Sequence, residues 1–502
     1  MKKKHIFLQK TQAIVLIVSL AFLPIFFTSE FAYATSANEL ALPSESLSAA
    51  VPVPGQPEAA LAQTEQAASD AASFLAEGPL TPADSAESSE SPNLALSNDP
   101  FYDSSGSWGN AYDDLWWLKR VRADDAWTFT RGAGATVAVI DTGLDFNHED
   151  ISENIWYNES ELNGIAGFDD DFNGYVDDVR GWDFYNWDKE PRDDNGHGSH
   201  VAGIIGAVAD NLQGIAGIAP ESKILSIKVL NSSGSGYVQD VITAIRYAAD
   251  MAADVINLSL GIAKAWLPKS LRTSLQNAIR YARSKGSIVV AAAGNENRNV
   301  SNVYPAYFSE VIAVGAIEPV TDKRAWFSNY GSALDFVAPG VDVLSLRAGG
   351  TLFGSSSIVD PDYSRASGTS MSAPIVSGII ALLRSWDPAI TFDQIMDRLK
   401  KSAVDLGSKG FDSYYGYGLV DAYGALALSA SLSLAGSLQS QTSSSSSSLS
   451  GPTAFAKSFS LPSGFHPSAP SFFQGYPNNH YAIPALSRWQ DLSVAGFFSL
   501  GE

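Results

Sequence analysis

Between residues 136 and 314 the chain repeats one pattern. Short runs rich in Val, Ile and Ala alternate with longer stretches whose apolar positions recur every three or four residues. The runs at 136–140, 224–229, 255–258, 287–291 and 311–314 read as strands covered on both faces, because they are apolar without alternation. The stretch 237–253 places Val238, Val241, Ile242, Ile245, Ala248, Ala249 and Ala252 on one helical face. Further helical patterns run over 201–208 and 271–285, and one begins near Met371 with Ile375, Val376, Ile379, Ile380, Leu382 and Leu383. Strands of this kind between helices predict an α/β fold: a doubly wound, mostly parallel sheet with helices on both faces. In such sheets reactive groups gather at the C-terminal ends of the strands.

The pattern stops at both ends of the chain. Residues 1–34 hold Lys2, Lys3, Lys4 and Lys10, then an apolar run over 13–27, then Ala32-Tyr33-Ala34. That is the layout of a secretory signal, and the run is short for a membrane span. Residues 35–98 are acidic, rich in Ala, Ser and Pro, and contain no Lys or Arg. They bury too little apolar surface to fold firmly and read as a linker or propeptide, and as disordered. The globular composition covers 99–428. A Ser-rich linker follows over 429–450, and 451–502 forms an undefined tail without periodicity.

Charge and cysteine usage narrow the function. Net charge is −22, and the first 34 residues carry four Lys and one Glu, so the chain after them stands at −25. This argues against nucleic acid and anionic lipid as partners and favours solubility outside the cell. The absence of cysteine excludes thiol chemistry and disulfide cross-links. Bound calcium is the obvious substitute in an exported fold.

Four motifs carry chemistry. V-A-V-I-D-T-G puts Asp141 at the end of a buried strand. N-G-H-G-S-H-V-A-G puts His197 ahead of an apolar helix, with Gly196 and Gly198 leaving room beside it for a substrate; His200, one turn later, is expected to pack. G-T-S-M-S-A-P puts Ser370 at the start of a helix, where the dipole and unpaired N–H groups suit a developing oxyanion. A-A-A-G-N-E-N puts Asn295 just after a strand, with an amide able to donate to that oxyanion. Each has a plain alternative: a strand-end cap, a structural histidine, a helix cap, a turn residue. Together they form a unit, because a serine needs a base and the base needs a carboxylate to hold its tautomer.

On these segments residues 100–428 resemble the subtilisin-like serine endopeptidases, the subtilase family. The resemblance implies Asp141 as the charge-stabilising residue, His197 as the base, Ser370 as the nucleophile and Asn295 as the oxyanion donor. It implies polypeptide substrates bound as a strand between Gly234-Ser235-Gly236 and Ser259-Leu260-Gly261. Leu260, Ala292, Ala293 and Gly294 would line the pocket before the cut bond, which favours apolar or large side chains, with Glu296 at the rim. Ser199 stands where Thr is usual, and Ser372-Ala373 where Ala-Ser is common; both changes are small. The expected protein is a secreted, extracellular monomer, with attachment to the cell surface as a variant and no stable membrane insertion once the signal is removed. The alternative is a catalytically dead fold of this type acting as a surface binding or scaffold protein.

Calcium has two expected sites. F-D-D-D-F-N-G-Y-V-D-D places Asp169, Asp171, Asn173, Gly174 and Asp177 at positions one, three, five, six and nine of an EF-hand-like loop. Arg180 occupies position twelve, so a ligand such as Asp178 or Asp183 must complete the set; a solvated acidic loop is the plain reading. By the family resemblance, Asp150 and the loop 209–215 form a second site with Asn211 as its side-chain ligand, although Asn211 could equally cap the preceding helix.

Overall fold

The computed structural model describes residues 97–107 and 109–428, and the backbone of 493–496. The expected signal, the 35–98 segment up to residue 96, the 429–450 linker and the remainder of the tail lie outside the described residues.

The strands are β1 (Thr136–Asp141), β2 (Gly181–Asp183), β3 (Lys223–Lys228), β4 (Ser235–Tyr237), β5 (Val255–Leu258), β6 (Leu260–Ala263) and β7 (Ile288–Ala292). They continue as β8 (Val303–Tyr304), β9 (Ile312–Ile317), β10 (Phe336–Pro339), β11 (Val343–Leu346), β12 (Ile358–Asp360), β13 (Tyr363–Ala366) and β14 (Ser493–Gly496). The helices are α1 (Trp116–Arg120), α2 (Ala123–Ala126), α3 (Glu159–Leu162), α4 (His197–Gly206), α5 (Val238–Asp250), α6 (Lys269–Ser284), α7 (Thr369–Trp386) and α8 (Phe392–Ser402). The five strands expected from the apolar runs are β1, β3, β5, β7 and β9, each within three residues of its predicted bounds.

These five join β2 and β10 in a seven-stranded sheet of order β10-β9-β7-β5-β1-β3-β2. Every pairing in it is parallel. Helices α4 and α7 pack together on one face, and α5 and α6 pack together on the other. The chain leaves β1 toward β3 on one side and then crosses to β5 on the other. The C-terminal end of β1 is therefore a switch point, where α/β sheets open a crevice. Asp141 is the last residue of β1.

Helix α7 is buried from Thr369 to Leu383. That explains why its apolar residues exceed a single stripe. Pro374 lies inside it. With no N–H, Pro374 leaves the Ser370 carbonyl without its intrahelical donor. Ser259 Oγ replaces that donor at 2.8 Å, and Asn257 Nδ2 in turn donates to Ser259 Oγ at 2.9 Å. A sequence feature that weakens the helix thus ties the Ser370 backbone to the end of β5.

The segment before α1 is anchored by a buried ion pair between Asp114 and Arg365 of β13. Asp114 also accepts hydrogen bonds from Ser104 Oγ at 2.5 Å and Ser107 Oγ at 2.6 Å. Removing one side of such a pair strands a buried charge. Asp114→Ala should therefore cost about 3 kcal/mol or more, read from the denaturant midpoint. An unchanged midpoint would mean that Arg365 finds water or another partner.

Candidate active site

Asp141 and His197 are both buried, and His197 Nδ1 lies 2.7 Å from Asp141 Oδ1. The contact depends on how closely the start of α4 approaches the end of β1. A Cβ on Gly198 would fall 2.2 Å from the Gly143 carbonyl oxygen, and Gly143 has a φ of +113°. Gly198 is thus required for helix-to-strand contact. Gly198 N donates to Thr142 Oγ1 at 2.8 Å.

Two charged residues outside the motifs' expected roles brace this turn. The N-cap of α4 is Gly196, which has no side chain to cap with. Asp193 does it instead: Oδ2 accepts from Ser199 N at 2.9 Å and Oδ1 accepts from Gly196 N at 2.7 Å. The buried Lys228 donates to the carbonyls of Thr142 at 2.6 Å and Leu230 at 2.8 Å, and to Asp194 Oδ1 at 2.6 Å. His200 packs edge-on to Phe353 at 5.6 Å, and burial pushes its imidazole down to about 3, so it stays neutral.

Ser370 is the second residue of α7, and its Oγ donates to the Ser259 carbonyl at 3.1 Å. Asn295 follows β7, and its Oδ1 accepts from Thr369 N and Thr369 Oγ1, both at 2.9 Å. These bonds fix which end of the amide donates. Ser259 and Asn295 thus place the start of α7 at the C-terminal ends of β5 and β7, and Thr142 places the start of α4 at that of β1. All four motif residues stand on one edge of three adjacent strands.

The Asn295 loop is held by a residue that sequence reading missed. Buried Asn329 donates from Nδ2 to the Ala293 carbonyl at 2.9 Å and to Glu296 Oε2 at 2.7 Å; its Oδ1 accepts from Arg298 N at 2.7 Å. Gly294, with φ +103°, passes so close that a Cβ there would lie 2.3 Å from Asn329 Nδ2. The expected rim residue Glu296 is therefore tied back into its own loop. Asn329→Ala should lower kcat about 10-fold with a smaller change in KM, because misplacing a donor by an ångström costs transition-state more than ground-state binding. Steady-state kinetics checks it; a loss confined to KM would contradict the positioning role.

The segments around Gly234, Ser235 and Gly236 and around Ser259, Leu260 and Gly261 form β4 and β6, two edges flanking one middle position in a sheet of order β4-β14-β6-β8. Ala292 and Ala293 are buried beside them.

In the acidic loop the structure brings a carboxylate from outside the motif beside two of its aspartates. Glu161, Asp171 and Asp178 have carboxylate oxygens within 4.8 Å of one another. Asn173 adjoins them, donating to Asp171 Oδ2 at 3.0 Å and to Asp178 Oδ2 at 2.9 Å. Asp177 has a φ of +55°, and its carboxylate is taken up by Gly167 N at 2.8 Å and Lys189 at 2.7 Å. Asp169 closes the loop by accepting from Gly174 N at 2.8 Å. Asp183 accepts from Asn186 at 2.9 Å and stays apart. Burial raises the Asp178 carboxyl. Glu161 comes from outside the motif, and its Oε1 accepts from Asp170 N at 2.6 Å. A cluster of largely buried carboxylates with one raised proton affinity fits a hard divalent cation.

At the second expected site Asn211 Nδ2 donates to Asp150 Oδ1 at 2.9 Å, and Tyr363 donates its hydroxyl to Asp150 Oδ2 at 3.0 Å. Burial pushes the Asp150 carboxyl up to about 7. Asp99, unread as a site residue, accepts from Asn211 N at 3.1 Å and is raised by burial as well. Asn211 Oδ1 accepts from Gln213 N at 2.8 Å.

Residues 132–418 match the family model described as the subtilase family. The thermophilic serine proteinase of Bacillus sp. (strain AK1) is 40% identical over 304 residues, 60% of this chain and 64% of that protein. Thermitase of Thermoactinomyces vulgaris is 37% identical over 329 residues, 66% of this chain and 98% of thermitase. Among solved structures, one titled as proteases from Pseudoalteromonas arctica PAMC 21717 is 31% identical, with a TM-score of 0.53 over 66% of this chain and 99% of that chain.

Proposed function

Because this chain belongs to the subtilase family, the subtilisin-like serine endopeptidases, we propose that it is secreted and cuts polypeptides through an acyl-enzyme formed on Ser370. His197 takes the Ser370 hydroxyl proton as Oγ attacks the scissile carbonyl. Asp141 holds the Nδ1–H and stabilises the imidazolium. The Ser370 backbone N–H and the Asn295 amide bind the oxyanion. Collapse expels the amine, which receives the proton from His197. Water, deprotonated by His197, then hydrolyses the ester and returns Ser370.

The observation that supports this reading best is the convergence of four motif residues, spread from 141 to 370, on one sheet edge, with Asp141 and His197 2.7 Å apart. Secretion rests on the basic, apolar and small-residue succession of residues 1–34. Among the described residues no helix is long and apolar enough to cross a membrane.

Calcium binding is part of the proposal. Glu161, Asp171 and Asp178, with Asn173 beside them, would hold one ion; Asp150, Asn211 and Asp99 would hold or border another. A bound ion would neutralise the buried carboxylates and cross-link loops far apart in sequence, in a chain without cysteine. Apolar or large side chains would be preferred before the cut bond, since Ala292, Ala293 and Gly294 bring no charge there.

A fluorophosphonate probe tests the centre of the proposal. It should label Ser370 in the intact protein and leave Ser370→Ala unlabelled, with the adduct mapped by mass spectrometry. Absence of labelling in folded, calcium-loaded protein would favour the scaffold reading.

A further inference from the structure

The last described strand comes from the tail. β14 runs antiparallel between β4 and β6 and is the middle strand of their sheet. Ser493, Val494 and Ala495 stand in register with Tyr237, Gly236 and Ser235. Ala495 and Gly496 stand in register with Gly261 and Leu260. β4 and β6 make no pairing with each other; each offers its edge to the same middle position. Two facing strand edges are a site for an extended polypeptide held by main-chain hydrogen bonds.

The position of this site decides what the strand does. The residue before Leu260 is Ser259, whose carbonyl accepts the Ser370 hydroxyl at 3.1 Å. An antiparallel strand that ends opposite Leu260 stops one register step from the nucleophile.

We infer that residues 493–496 are a substrate-like ligand carried by the chain itself, which occupies the cleft and must be displaced by substrate. The inference rests on the proposed peptidase activity for its consequence, but the docking does not. Four residues make few hydrogen bonds, so the segment alone would bind weakly. Tethering changes that: a ligand carried on the same chain meets its site at an effective concentration on the order of millimolar. The tail therefore competes with substrate, raising apparent KM and leaving kcat alone.

The test uses two inactive and three active proteins. Ser370→Ala in the full chain and in a chain ending at Leu492 prevents self-trimming. Amide hydrogen exchange at 235–237 and 260–263 should be several-fold slower with the tail present, independently of protein concentration. Equal exchange overturns the inference, whatever the kinetics show. Protection that grows with concentration assigns the strand to a second copy and overturns the intramolecular form. Among active proteins, the truncated chain and Ala495→Pro, which removes a strand N–H, should have an apparent KM for a short chromogenic peptide about 3-fold or more below the full chain, at equal kcat. Equal KM in chains shown intact by mass overturns the inhibitory claim. No turnover by any form, with protection retained, would sink the peptidase reading and leave the docked strand standing.

Discussion

Replacing Ser370 by Ala should lower kcat by about 10⁶-fold, the size found for this triad in subtilisin, a member of the same family, with little effect on the melting temperature. His197→Ala should cost as much, and the double variant no more than either. The two residues act in one step: without the base the hydroxyl keeps its proton, and without the hydroxyl the base has nothing to activate. Asp141→Asn should cost about 10⁴-fold, because an amide has no charge to stabilise the imidazolium and its NH2 can face the Nδ1 that now meets Asp141 Oδ1 at 2.7 Å, fixing the wrong tautomer. Asn295→Ala should cost about 10²–10³-fold in kcat with KM nearly constant, since its amide acts only once the oxyanion forms. Steady-state kinetics on a short peptide, corrected by active-site titration, decides these points. Losses for Ser370 and His197 that multiplied in the double variant would show that they act separately.

Removing calcium should have the largest effect on stability. A ligand bound only by the folded state contributes about 4 kcal/mol at a thousandfold excess over its Kd. For a domain of this size 1 kcal/mol moves the melting temperature by roughly 2 °C, so two such sites would shift it by about 15 °C. EDTA should lower the midpoint on that scale, and calcium should restore it. The variants separate the ligand sets. Asp178→Asn and Glu161→Gln should reduce the calcium-dependent shift, while Asp177→Asn should leave it unchanged, because Asp177 pairs with Lys189. The reverse order would restore the set read from the loop spacing. A midpoint indifferent to EDTA after exhaustive dialysis would remove both sites.

The difference between those ligand sets has a structural cause. EF-hand spacing assumes a loop that leads into a helix. Here the loop is followed by β2, and the Asp177 carboxylate is engaged by Gly167 N and Lys189. The added carboxylate, Glu161, comes from α3, upstream of the motif, and nothing local in E-S-E-L distinguishes it from Glu159. The same holds for Asn329, Lys228 and Asp99. Each acts through backbone groups brought near by the fold, and their own neighbours in sequence carry no sign of it. Gly198 shows the converse case. Its presence in the motif was plain, but its packing role depended on the Gly143 carbonyl.

The sequence by itself determined the α/β class, five of the strands and the four chemical motifs. Parallel strands covered on both faces must be apolar without alternation, and strand-end and helix-start chemistry is written in contiguous residues. Only the tertiary structure decided which carboxylates share a site, which side chains brace the reactive ones, and where residues 493–496 pair. A carboxylate's partners are fixed by chain closure over tens to hundreds of residues. A strand such as β14, which pairs with the cleft and with no sequence neighbour, leaves no period to read.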